Sequence, residues 1–88
     1  MLNEFSDWLK YNRNNSKYTI RNYMQALALF DDYLKQIWHP GVEECEDIKM
    51  RHIDGFVFEQ RSFKHKGDRT VNTYLAAIKL YLRFCLIQ

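Results

Sequence analysis

The sequence predicts an all-α fold, a bundle of four helices forming one domain over residues 1–88. Three observations predict it. Apolar residues recur at three- and four-residue steps along most of the chain, which is the spacing of one helix face. The chain holds one Pro and three Gly, too few for a turn-rich β architecture. Its residues are 47% apolar and 16% aromatic, enough to bury a core instead of remaining disordered. A chain of 88 residues has room for a single core.

The first helix is predicted over residues 2–13, where Leu2, Phe5, Trp8 and Leu9 share a face. Asn12, Asn14 and Asn15 then break the pattern with residues that favour turns and caps. The second and longest helix is predicted over residues 17–37, with Ser16 as N-cap. Its stripe is Ile20, Tyr23, Leu27, Phe30 and Leu34. His39-Pro40-Gly41 stops it, because Pro cannot continue a helix and Gly tolerates the turn. After an acidic loop, a third helix is expected over residues 49–64, with Ile53, Phe56 and Val57 inward. Gly55 weakens that helix by about 1 kcal/mol relative to Ala, so either packing is close there or the helix is marginal. Lys64 to Asp68 reads as a basic loop. Asp68 or Thr70 is the expected cap of a fourth helix running to residue 87. Its inward face is Val71, Tyr74 or Leu75, Ile78, Tyr81 or Leu82, and Cys85.

Several functional classes find no support. No apolar run is long enough to span a bilayer, and the N-terminus lacks the charged-then-apolar pattern of a signal peptide. Cys45 and Cys85 are too few for a disulfide framework; they read as separate free thiols of a reducing, cytoplasmic setting. His39, His52 and His65 fall in or near different loops, and none pairs with a cysteine at zinc-site spacing. A Gly-rich phosphate loop is missing too. No catalytic residue, cofactor site, metal site or small-molecule substrate is therefore expected.

The net charge of +2 says little, but its distribution says more. Residues 37–60 carry Glu43, Glu44, Glu46, Asp47, Asp54 and Glu59 against Lys49 and Arg51. Residues 61–88 carry Arg61, Lys64, Lys66, Arg69, Lys79 and Arg83 against Asp68 alone. Such asymmetry suits an oriented contact with a polyanion. Two helix starts carry the residues of interest. On the second helix Lys17, Tyr18, Arg21, Asn22 and Gln25 lie off the apolar stripe. On the fourth, Arg69, Asn72, Thr73, Ala76, Lys79 and Arg83 follow three- and four-residue steps opposite the core. Arg and Lys neutralise phosphates, Asn, Gln and Thr bond phosphates or base edges, and a small Ala permits close approach. Helix N-termini add partial positive charge. The same pattern also describes the solvated face of any amphipathic helix.

The segment from Ser16 through Thr19 and Tyr23 to Leu27 and Phe30 resembles the S-x-x-T-x-x-x-Y-x-x-x-L-x-x-F opening of the core-binding domain of tyrosine recombinases and phage integrases. The stretch from Arg69 to Phe84, with Thr70, Leu75, Ala77, Ile78 and Lys79, resembles the last helix of that domain. Phe5, Trp8 and Leu9 are similar to its F-x-x-[WY]-L start, and Asp47-Ile48 precedes a short helix as its third element does. Each motif is degenerate; the order and spacing of all four carry the likeness.

The resemblance implies a four-helix, SAM-like orthogonal bundle that supplies half of a clamp around double-stranded DNA at the core recombination site. The second and fourth helices would face the major groove. The implied contacts are Lys17, Tyr18, Thr19, Arg21, Asn22 and Gln25 from one helix, and Lys66, Arg69, Thr70, Asn72, Thr73, Lys79 and Arg83 from the other. Neighbouring recombinase protomers are implied as further partners. The catalytic Arg, Lys, His and Tyr of the family belong to a C-terminal domain expected beyond Gln88, so no tyrosine here is assigned as nucleophile. Two other classes compete. A helical protein-interaction module would use Trp38, Leu80 or Leu86, and a metal or enzyme site would centre on Cys45 and His52.

Overall fold

A computed structural model describes residues 2–12, 16–38 and 45–86. Among them are four α-helices and no strand: α1 (Leu2–Asn12), α2 (Lys17–Ile37), α3 (Met50–Ser62) and α4 (Asp68–Leu86). A single 3-10 turn, Cys45–Asp47, precedes α3. The predicted four-helix, all-α bundle is the one observed. The expected stop at His39-Pro40-Gly41 lies outside the described residues, as do the side chains of Leu2 and Leu86. The fourth helix begins at Asp68 and its first turn bonds back to the Gly67 carbonyl, so Asp68 and Thr70 both lie inside that turn and neither is the residue that precedes the helix.

The most extensive helix contact is that of α2 with α4. Leu27, Phe30 and Leu34 of α2 and Val71, Ile78 and Tyr81 of α4 are buried, as the apolar spacing predicts. Ile20, Tyr23, Tyr74, Leu75, Leu82 and Cys85 are half-buried against the same core. Four core members escape that spacing: Ala26, Tyr33, Ala77 and Phe84. Both alanines are fully buried, and a methyl group there leaves room for large neighbours.

Two phenylalanines knit the other helices onto this pair. Phe5 of α1, fully buried, meets Tyr81 edge-on at 5.4 Å and Phe84 at 5.5 Å. Phe56 of α3, also fully buried, lies 5.2 Å from Phe30, 5.6 Å from Tyr33 and 5.9 Å from Tyr74. Offset and edge contacts of this kind add about 0.5–1.5 kcal/mol per pair beyond area burial. The aromatic content is thus mostly core.

Polar contacts complete the joint between α2 and α3. The Trp38 indole N–H donates to the Tyr33 hydroxyl at 3.1 Å. The Trp38 ring meets the His52 ring edge-on at 4.6 Å, and Arg51 lies over it at 6.0 Å. His52 is buried in the first turn of α3, where its Nδ1 accepts the Lys49 backbone N–H at 2.8 Å. That bond satisfies a backbone donor at the helix start and requires a neutral ring with its proton on Nε2. Burial, then Arg51 and Lys49, hold the His52 pKa below the usual histidine value, against a smaller opposing effect of Asp47. Gly55 is explained by close packing, since a Cβ there would overlap the Tyr33 hydroxyl. At the other end of α3, Phe63 and Lys64 both donate to the Glu59 carbonyl and Lys66 to that of Gln60. His65 takes a left-handed φ of 55° where the chain turns into α4.

Two outcomes follow. Gly55→Ala should lower stability by about 1–3 kcal/mol, the usual cost of overpacking, despite the helix propensity gained. In a Tyr33→Phe background the same change should cost clearly less, because the overlapping oxygen is gone; equal costs in a denaturant double-mutant cycle would place the strain elsewhere. For His52, the unfolded state binds the proton first as pH falls, so its contribution is intact above about pH 6.5. It is lost progressively as pH falls toward the lower folded pKa. His52→Asn, whose amide oxygen can take the place of Nδ1, should flatten the stability profile between about pH 5 and 7, measured by thermal melts across that range.

Candidate nucleic-acid interface

The start of α2 is set by Ser16. Its Oγ accepts the Thr19 backbone N–H at 3.1 Å and donates to the Thr19 hydroxyl at 3.0 Å. Lys17, Tyr18, Arg21 and Gln25 follow on the exposed arc, with Tyr18 70% exposed. Asn22 is half-buried at its edge. Thr19 is different. It stands seven and fourteen residues before Ala26 and Tyr33, both buried, so it shares their core-side register and is half-buried.

The same division holds on α4. Arg69, Asn72, Lys79 and Arg83 are exposed, Thr73 and Ala76 are half-buried among them, and Lys66 is exposed in the preceding loop. Arg69, Ala76 and Arg83 stand at seven-residue intervals and form the centre of the stripe. Thr70 is offset by one residue and shares its register with the buried Ala77 and Phe84. The Thr73 hydroxyl donates to the Arg69 carbonyl at 3.1 Å, which commits its proton to the helix backbone. Thr19 and Thr70 thus lie on the inward side of their helices, and Thr73 can offer a ligand only an acceptor.

The electrostatics favour an anion on these stripes. Among the described residues the ion pairs are Lys35–Asp31 at 3.0 Å and Arg61–Asp68 at 3.4 Å. Neither takes a cation from Lys17, Arg21, Lys66, Arg69, Lys79 or Arg83, whose charges face solvent. Asp31 and Asp32 lie in the second half of α2, so the basic part of that helix is its first two turns.

The competing sites look different in three dimensions. Trp38 and Leu80 are half-buried against the core, and Trp38 is bonded to Tyr33. The large apolar side chains that do face solvent are Tyr11, Tyr18, Leu29, Ile37, Met50, Phe58 and Phe63. Phe58 and Phe63 meet edge-on at 5.9 Å, a pair that helical periodicity does not signal. Among the described residues no group of three or more His, Cys, Asp or Glu is placed to hold a metal ion. The His52 Nδ1 is engaged by the Lys49 backbone. No described helix is long and apolar enough to cross a membrane.

A four-helix, all-α domain with exposed cationic and amide-bearing stripes on its two longest helices is the class that fold and surface define. The family model described as phage integrase, N-terminal SAM-like domain, matches residues 2–88. The chain belongs to that family and is an integrase-type, tyrosine-recombinase domain. No curated protein and no solved structure gives a significant match to it.

The hydroxyls of Ser16 and Thr19 close the helix cap of α2. Ser16→Ala should therefore cost about 1 kcal/mol of folding stability. Chemical denaturation measures it, and an unchanged unfolding free energy would show that Ser16 does not cap the helix.

Proposed function

We propose that the chain is the non-catalytic DNA-binding domain of a tyrosine recombinase, one half of a clamp that holds duplex DNA at the core recombination site during integration or recombination. The observation that carries this reading is the pair of exposed stripes on α2 and α4, whose cations no described carboxylate neutralises. They lie on the helices that the family resemblance assigns to the major groove. Lys17, Arg21, Lys66, Arg69, Lys79 and Arg83 would neutralise phosphates. Tyr18, Asn22, Gln25 and Asn72 carry the groups able to read base edges or bond phosphates, with Thr73 as an acceptor. Thr19 and Thr70 position their helices. The domain uses no cofactor, metal or small-molecule substrate, and the chemistry resides in a separate catalytic domain of a cytoplasmic parent protein. Neighbouring recombinase protomers are further partners, and the exposed Phe58–Phe63 pair is the surface best suited to them.

Replacing Arg69 and Lys79 together with Ala should weaken binding to every duplex tested. It should lower the slope of log affinity against log salt by about 2, one per lost phosphate contact. Lys35→Ala, which removes a cation already paired with Asp31, should leave both unchanged. Wild-type affinity and slope in the double variant would move the interface off α4. A concentration-dependent oligomer that dissolves on Phe58→Ser, with no DNA retention at low salt, would favour the protein-interaction reading.

A further inference from the structure

The two cysteines are 40 positions apart in sequence yet meet in the fold. Cys45 lies in the 3-10 turn that packs on α4, and Cys85 lies in the last turn of α4. Both are partly exposed and both pack against the core. Their thiols are within hydrogen-bonding reach of one another. The Cys45 Sγ–H also donates to the Glu46 carboxylate at 3.6 Å. Tyr81, one turn before Cys85 on the same helix, packs beside the pair.

We propose that Cys45 and Cys85 form a modification site, a dithiol that low-molecular-weight disulfides convert to an internal Cys45–Cys85 disulfide. Contact with Cys85, burial and then the Glu46 carboxylate push the Cys45 thiol up to about 12. Either cysteine can make the first attack, since the thiolate is the nucleophile in exchange. Its sulfur bonds to one sulfur of the oxidant, the oxidant's S–S bond breaks, and one thiolate leaves. The other cysteine then attacks the protein sulfur of this mixed disulfide and expels the second thiolate, and its proton passes to solvent. In sum two thiols lose two protons and two electrons, and one small disulfide becomes two thiols.

Oxidation would fix the last turn of α4, two residues beyond Arg83, to the turn that leads into α3. It would close a long loop across the bundle, where a cross-link constrains the unfolded chain most.

The test is incubation of the purified chain with oxidised glutathione, an alkylating quench, intact mass and peptide mapping. Expected are loss of two hydrogens, no alkylation, a Cys45–Cys85 linked peptide, and a melting temperature raised by roughly 10 °C that dithiothreitol reverses. Cys45→Ser and Cys85→Ser should each accumulate a stable glutathione adduct at the remaining cysteine and show no rise in melting temperature. Adducts on both cysteines of the wild-type chain, or linkage only between molecules, would overturn the proposal.

Discussion

The packing of α2 on α4 is the constraint on which the rest depends. Each helix buries one arc against the shared core, so its opposite arc must face solvent wherever the helix carries polar residues. Orientation is then set by register. Thr19, Ala26 and Tyr33 occupy one line on α2, and Thr70, Ala77 and Phe84 occupy one on α4. In both lines a small, fully buried residue is followed seven positions later by a large aromatic, and the large neighbours close over the space the methyl group leaves. The stripes led by Lys17 and Arg21, and by Arg69 and Arg83, are held outward by the same contacts that bury these lines. A shift of α4 by one residue would put Thr70 in the place of Arg69 on the outer face.

α3 depends on that pair in another way. It contributes few large residues to the core and crosses close to α2, where Gly55 admits the Tyr33 hydroxyl. The cost of glycine within a helix, about 1 kcal/mol, is offset by what the approach permits. Phe56 reaches aromatic rings of both long helices, and Trp38, Tyr33 and His52 form a polar joint at the edge of the core. The joint requires a neutral imidazole. The α2–α3 corner is therefore the part of the fold most directly tied to pH, whereas Phe5 holds α1 to α4 by apolar contact alone.

Helix number and most helix limits were legible in the sequence, because large apolar residues at helical spacing report directly which arc is buried. What that spacing could not show has a common physical origin. Ala26 and Ala77 are too small to weigh in a hydrophobic stripe. Tyr33 is buried with its hydroxyl accepting from Trp38, and His52 is buried because the Lys49 N–H needs a partner at the start of α3. Thr19 and Thr70 look like surface donors by residue type, yet their seven-residue relation to buried residues places them inward. That relation was open to inspection in the sequence and outweighs residue type. The meeting of Cys45 with Cys85 and the exposure of Phe58 beside Phe63 are products of tertiary packing. No local pattern encodes them.

Charge placement completes the functional logic. On the proposed reading a net charge of +2 is small, since affinity for duplex DNA scales with the number of phosphates neutralised. The cations are not spread evenly. Those on the outer stripes stay unpaired by described carboxylates, while Lys35 and Arg61, off the stripes, are matched by Asp31 and Asp68. The molecule thus presents a short row of cations without becoming strongly basic overall. If these cations meet DNA as proposed, few phosphate contacts mean modest affinity and a shallow salt dependence for the domain alone. On the proposed reading that is what a clamp requires: each half grips weakly enough to be released, and tight binding arises only when a second DNA-holding domain of the same protein engages the same duplex at high effective concentration.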